Sequence, residues 1–202
     1  AVVKTLGGDL TLTGANTYAG GTTVEAGTLF IAADTNLGAA TGPLTLNGGA
    51  LGSIANVATS RATTVGPDGG GLNTAAGTTL THNGIIAGPG LLTKFGDGTA
   101  VLTGANNYAG GTTISAGVLQ IASDANLGAA TGALVFDGGT LRTTADMTTA
   151  RATELTSNVG TIETAAGTTL TDDSGIAGAG QLTKTGGGVL LVNGINRYTG
   201  GT

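Results

Sequence analysis

The chain repeats itself without a gap. Residues 11–100 align with 101–190 at an offset of 90, and about half of the aligned positions are identical. Thr11 to Thr23 reads TLTGANTYAGGTT, and Val101 to Thr113 reads VLTGANNYAGGTT. NLGAATG stands at Asn36 to Gly42 and again at Asn126 to Gly132. TAAGTTLT stands at Thr74 to Thr81 and at Thr164 to Thr171. A third copy opens at Leu191 as LVNGINRYTGGT and runs to Thr202. The three copies share Lys4, Lys94 and Lys184; Gly14, Gly104 and Gly194; Asn16, Asn106 and Asn196; and Tyr18, Tyr108 and Tyr198. Equal units in register are added along one axis, each burying its apolar face on its neighbour. The chain therefore reads as one solenoid over residues 1–202. Its units are 11–100 and 101–190, with partial units 1–10 and 191–202.

Inside each unit the apolar residues alternate with Thr, as in Leu10-Thr11-Leu12-Thr13 and Leu44-Thr45-Leu46. That period of two reads as strand, and the bounding GG, NG, DG and AG pairs read as turns. No segment shows a helical stripe. Gly makes up 40 of the 202 residues, and each costs a helix about 1 kcal/mol relative to Ala. The expected fold class is all-β, a parallel β-helix of about nine or ten rungs. With strands ~4.8 Å apart, the rod would be about 40–50 Å long. The predicted core holds Leu12, Leu29, Ile31, Leu44, Leu46, Leu102, Leu119, Ile121, Leu134 and Phe136. The three equivalent lysines are expected on one face of the rod, and the NLGAATG loops as its largest protrusions.

Composition narrows function. The chain has no Cys, so it carries no disulfide, no thiolate metal site and no thiol nucleophile. A net charge of −5 argues against a nucleic-acid footprint, which needs clustered Lys and Arg. The longest aliphatic run is Val189 to Val192, so no membrane contact is expected of this segment. The first residues show no basic stretch followed by an apolar one, the pattern of a leader. The chain opens at Ala1, not Met, and is expected to be a mature or excised piece. Neither end shows a polar cap, so β-pairing is expected to continue beyond residues 1 and 202. Further copies of the repeat, in a longer chain or end to end, are the expected partners.

The candidates for chemistry are few. His82 is the one His; beside Asn83-Gly84 it reads as a solvated turn residue. The adjacent pair Asp172-Asp173 has poor geometry for acid–base work, because neighbours in a strand point to opposite faces. Asp34, Asn36, Asp124 and Asn126 are weak calcium candidates; ordinary turn capping explains them as well. Arg61 and Arg151 recur at the unit spacing and read as outward strand residues able to meet a sugar acid. Tyr18, Tyr108 and Tyr198 read as rings packed over Gly-rich corners, with the Asn two residues before each closing the turn. Thr-x-Thr does not recur once per rung in one register, which counts against an ice-binding ladder. No cofactor motif is present; a chance GxGxxG means nothing at this Gly content.

The stretch LTKFGDGTAVLTGANNYAGGTTISAGVLQI, Leu92 to Ile121, resembles the autotransporter-associated β-strand repeat of type V secretion passenger domains. The same stretch appears at Val2 to Ile31, and its first two-thirds at Leu182 to Thr202. The resemblance implies a right-handed parallel β-helix, export across the outer membrane and display at the bacterial surface. It implies a non-catalytic stalk or passenger segment in a protein serving adhesion, self-association or biofilm formation, facing a host-cell or matrix surface. The alternative is a polysaccharide lyase or hydrolase on the same fold, which would need a cleft with several carboxylates and a Lys or Arg. Absence of Cys suits the export route, since no disulfide can form in an oxidising compartment before the chain crosses.

Overall fold

The structure is a computed structural model and describes residues 1–202. The chain forms short strands and two single-turn 3-10 helices, Asp34–Leu37 and Asp124–Leu127. Every strand pairing is parallel, between strands about one turn apart in sequence. The result is a parallel β-solenoid with three faces.

The second face is continuous. It runs from Leu10–Leu12 through Thr28–Ile31, Ala50–Ser53, Gly70–Thr74, Leu92–Phe95, Thr112–Ile114, Leu134–Phe136, Thr153–Leu155 and Ile176–Gly178 to Arg197–Tyr198. The third face holds Val57–Thr59, Thr79–His82, Thr99–Leu102, Val118–Ile121, Thr140–Thr143, Gly160–Thr164 and Leu182–Thr185. The first face holds Val2–Lys4, Thr22–Val24, Leu44–Leu46, Thr63–Val65 and Ile86–Ala87. It resumes at Met147–Thr149, Thr169–Asp172 and Val189–Val192.

Register fixes the pitch. On the second face Leu10 is in step with Leu29, Leu51, Leu72, Lys94, Ile114, Phe136, Leu155, Gly178 and Tyr198. Nine steps cover 188 residues, about 21 per turn. A 90-residue unit is thus four turns and a third. Lys4 accordingly lies on the first face, Lys94 on the second and Lys184 on the third. The expectation of one shared face is wrong. The units repeat in sequence, but each is rotated by a third of a turn.

The core is the stack of inward side chains. Leu29, Leu51, Leu72, Ile114, Phe136 and Leu155 are all fully buried on the second face. Leu80, Ala100, Leu119 and Leu141 do the same on the third. Nine of the ten expected core residues are buried; Leu12, in the first strand of its face, is only half-buried. Complete burial of such a side chain is worth about 1.5–3 kcal/mol, so a few per turn suffice for a rod this thin.

The NLGAATG loops are not simple protrusions. Asn36 and Leu37, and Asn126 and Leu127, form the ends of the 3-10 helices and are buried. Only the middle of each loop, at Ala40-Thr41 and Ala130-Thr131, is exposed.

Candidate functional site

In the first two copies the recurring Asn and Tyr side chains cluster where a face lacks strands. The first face has none between Ile86–Ala87 and Met147–Thr149. Asn106 and Asn126 stand in that gap. Asn106 Oδ1 accepts from Ile86 N at 2.8 Å, and Asn106 Nδ2 donates to Asn126 O at 2.7 Å. Asn126 Nδ2 donates to Gly104 O at 2.9 Å, while its Oδ1 accepts from Ala122 N and Ser123 N. Each amide thus replaces bonds that a strand ladder would have made, which a buried backbone requires. In the first unit Asn16 donates to Asn36 O, and Asn36 donates to Gly14 O. In the third, Asn196 accepts from Ile176 N. At Gly104 and Gly194 the chain passes so close to the turn below that a Cβ would lie 2.2 and 2.1 Å from its backbone.

Tyr108 fills the same gap, and Tyr18 fills its counterpart in the first unit. Tyr108 is fully buried, and its hydroxyl shares a 2.7 Å hydrogen bond with Thr112 Oγ1. Burial pushes its pKa up to about 12. Its ring lies over Gly128, where a Cβ would come within 2.7 Å of Cε2. Gly128 also has φ of +80°, so Gly is required there twice over. Tyr18 sits over Gly38 in the same way. Tyr18 and Tyr198 repeat the bond to the Thr four residues on, Thr22 and Thr202. The packing expected of these rings is what the structure shows for Tyr18 and Tyr108.

A clamp that the sequence reading placed outside lies inside. Arg61 is 3% exposed and Arg151 2% exposed. Arg61 Nε donates to Asp34 Oδ1 at 2.8 Å and Nη2 to Asp34 Oδ2 at 3.0 Å. Its remaining donors reach the carbonyls of Asp34, Gly38, Ala39 and Gly42. Arg151 repeats this on Asp124, Gly128, Ala129 and Gly132, with Leu127 O added. The five-donor guanidinium is suited to such a ring of acceptors. Each Arg, one turn above its loop, thus folds NLGAATG around itself. Of the four calcium candidates, Asp34 and Asp124 spend both carboxylate oxygens on Arg, and Asn36 and Asn126 spend theirs on backbone N–H groups.

The lysines are also inward. Lys94 occupies the inner column between Leu72 and Ile114 and is 1% exposed. Its Nζ donates to the carbonyls of Phe95, Gly96 and Ala116 at 2.9, 2.6 and 3.2 Å. The stem packs in the core and the ammonium caps the corner between two turns. Desolvation lowers its pKa to about 8. Lys4 reaches Leu6 O and Ala26 O, and Lys184 reaches Thr185 O and Gly186 O.

His82 is corrected as well. It lies in the strand Thr79–His82, 1% exposed, in the inward column with Thr59 and Leu102. Its Nε2 is 2.7 Å from Thr63 Oγ1 and its Nδ1 3.2 Å from Gly84 O. Burial lowers its pKa below the ordinary value. Asp172 takes the equivalent place in the second unit, buried, accepting from Ser174 N, Ser174 Oγ and Gly175 N. Asp173 points out to solvent, so the pair splits across the strand as alternation requires.

The passenger-associated-transport-repeat family matches residues 2–30, 92–121 and 182–202. Three stretches of the chain thus match one passenger-repeat model. Each spans the inward Lys, the Gly-x-Asn-x-Tyr corner and the Gly-Gly-Thr that follows, although the third match ends at residue 202. A 109-residue stretch, 54% of the chain, is 50% identical to the adhesin BmaC autotransporter of Brucella suis biovar 1 (strain 1330). The chain spans 3% of the length of that curated relative. No solved structure matches the chain. Between the passenger repeats lie the clamps: Asp34 with Arg61, and Asp124 with Arg151.

Proposed function

We propose that this chain is a non-catalytic, rod-like stretch of an autotransporter passenger, exported across the outer membrane and displayed on a bacterial surface. It holds more distal parts of the same protein away from the cell. The parent protein serves adhesion, in line with the name of its relative, BmaC. The 90-residue unit is the building block, and like units continue the rod. The observation that carries this reading is the unbroken register of the second face across all three passenger repeats. A rod of this kind folds by adding turn on turn, so it can form progressively as a chain emerges from a pore. The lyase or hydrolase alternative needs several carboxylates in one cleft. The two main grooves are lined by one carboxylate each, Asp68 in one and Asp173 in the other.

The test uses the parent protein in a bacterial host. Deleting residues 11–100 joins Leu10 to Val101 at equivalent points of the repeat. The shortened passenger should still reach the surface and be shaved off by external protease, with a reach reduced by about four turns, ~20 Å. Retention of the intact parent inside the cell would refute display. Cleavage of a polysaccharide by the purified passenger would refute a non-catalytic role.

A further inference from the structure

The two units differ most on their outward surfaces. In the second unit, Val118, Thr140, Thr161 and Thr183 form one outward column on the third face. Arg142 and Glu163 pair beside it at 2.9 Å. The equivalent first-unit column lies on the second face and reads Thr28, Ala50, Gly71 and Thr93. Gly52 stands where Arg142 does, and Phe95 where Thr185 does. With Ala50 and Gly71 where the second unit has Thr140 and Thr161, this column lines a groove of about 620 Å³, while the space over Gly52 is filled by the Phe30 ring.

The groove is more than missing side chains. Phe95 lines it, with its ring over Gly71, where a Cβ would lie 2.4 Å from Cε1. Thr28 also lines it and is 7% exposed, yet its hydroxyl has no hydrogen-bond partner in the chain. Its methyl carbon is turned toward Gly52, 2.7 Å from where a Cβ would be. At the rim, Asp68 Oδ2 accepts from Asn47, which leaves Oδ1 free. Thr28 and Thr93 are three turns apart, so the groove is ~14 Å long, the length of a short oligosaccharide.

These features select a ligand class. The floor strands Ala50–Ser53 and Gly70–Thr74 are paired on both sides, so no edge is open to an added peptide strand. A flat aromatic ring above a glycine floor suits the C–H face of a sugar. An unpartnered hydroxyl and a free carboxylate oxygen suit sugar hydroxyls, following the usual division of a site into apolar walls and a few polar anchors. The lone rim carboxylate and a net charge of −5 disfavour anionic sugars. We propose that the first unit, and not the second, binds a neutral, extended oligosaccharide in this groove, stacked on Phe95 and anchored by Thr28 and Asp68. This stands apart from the stalk reading, which display and shaving experiments test separately.

The experiment is titration of the full 202-residue chain with cellotetraose and with chitotetraose. Tetragalacturonate is the anionic control and an extended polyserine peptide the peptide control. Binding is followed by amide chemical shifts and calorimetry. The variants are Phe95→Thr and Thr28→Val, which place residues that the second unit already carries at 185 and 118; both should therefore fold with unchanged melting. At least one neutral tetrasaccharide should bind and shift amides of Gly70 and Gly71. Phe95→Thr should weaken it about tenfold or more, a loss of ~1.4 kcal/mol, and Thr28→Val less. No binding by either neutral sugar, tighter binding of tetragalacturonate or of the peptide, or undiminished binding by Phe95→Thr would each overturn the proposal.

Discussion

Arg61 and Asp34 meet side-on, with Nε 2.8 Å from Oδ1 and Nη2 3.0 Å from Oδ2, and Arg151 and Asp124 repeat those distances 90 residues later. The carboxylates are about a quarter exposed while the guanidiniums are almost fully buried. Loss of the Arg should therefore hurt more than loss of the Asp. Arg61→Met strands four loop carbonyls and one carboxylate and should cost about 3–5 kcal/mol. Asp34→Asn should cost clearly less. Urea denaturation of both variants checks the order; equal losses would show that the carbonyl ring contributes little.

Stability should fall as pH drops from 7 toward 5. Burial holds His82 neutral in the folded state, with its pKa below the ordinary 6.5. Below 6.5 the unfolded chain takes up a proton that the folded chain does not, so the equilibrium moves toward unfolding. The melting temperature of the wild type should decline over that range, and His82→Asn should flatten the decline. A decline of the same size in the variant would assign it to the carboxylates.

Above neutrality two buried groups act in opposite directions. Lys94 loses its proton near 8 when folded and near 10.5 when unfolded. Between these values the unfolded state binds more protons, so stability rises with pH. Tyr108 reverses the trend above 10, because it ionises at about 12 when folded and at 10 when unfolded. Melting curves from pH 8 to 11 should pass through a maximum. Lys94→Met should remove the rise and Tyr108→Phe should soften the fall; a monotonic wild-type curve would contradict both assignments.

Chelation should leave melting unchanged, because the oxygens of Asp34, Asn36, Asp124 and Asn126 are already engaged within the chain. A drop with EDTA that calcium restores would return these four residues to the list of ligands.

Spin labels at Ala40 and Ala130, both exposed, test the rotation between units. Four and a third turns separate the labels by ~21 Å along the axis. Labels on one face would lie at about that distance. Labels a third of a turn apart must lie further, by an amount set by the width of the rod.

Strand content, the solenoid and most of the core were legible because Leu and Thr alternate with so few interruptions. The inward polar residues carried the same signal. Lys94 shares its phase with Leu92, His82 with Leu80, and Arg61 with Thr59 and Val57. Their charge and polarity argued for the outside, and alternation was the stronger rule. Mean burial of a residue type says little once a closed ring of carbonyls is waiting for its donors. The rotation between units could not be read, because a period of 90 does not reveal the length of a turn. Steps on one face vary, with 19 residues from Leu10 to Leu29 and 22 from Leu29 to Leu51. The groove was illegible for the same reason: Thr28, Gly71 and Phe95 become neighbours only when the register is known. The Thr column on the third face was also missed, although beside it Val101, Gln120, Arg142 and Glu163 interrupt any Thr-x-Thr array.

A third of a turn per unit makes the rod a screw. In an array of such units, a given corner would return to the same side only after three units, 13 turns or ~62 Å. A neighbour gripping one side would meet the motif at that long interval. A neighbour winding around the axis would meet it at every unit, as steps on a spiral stair, and no side of the rod would be its back.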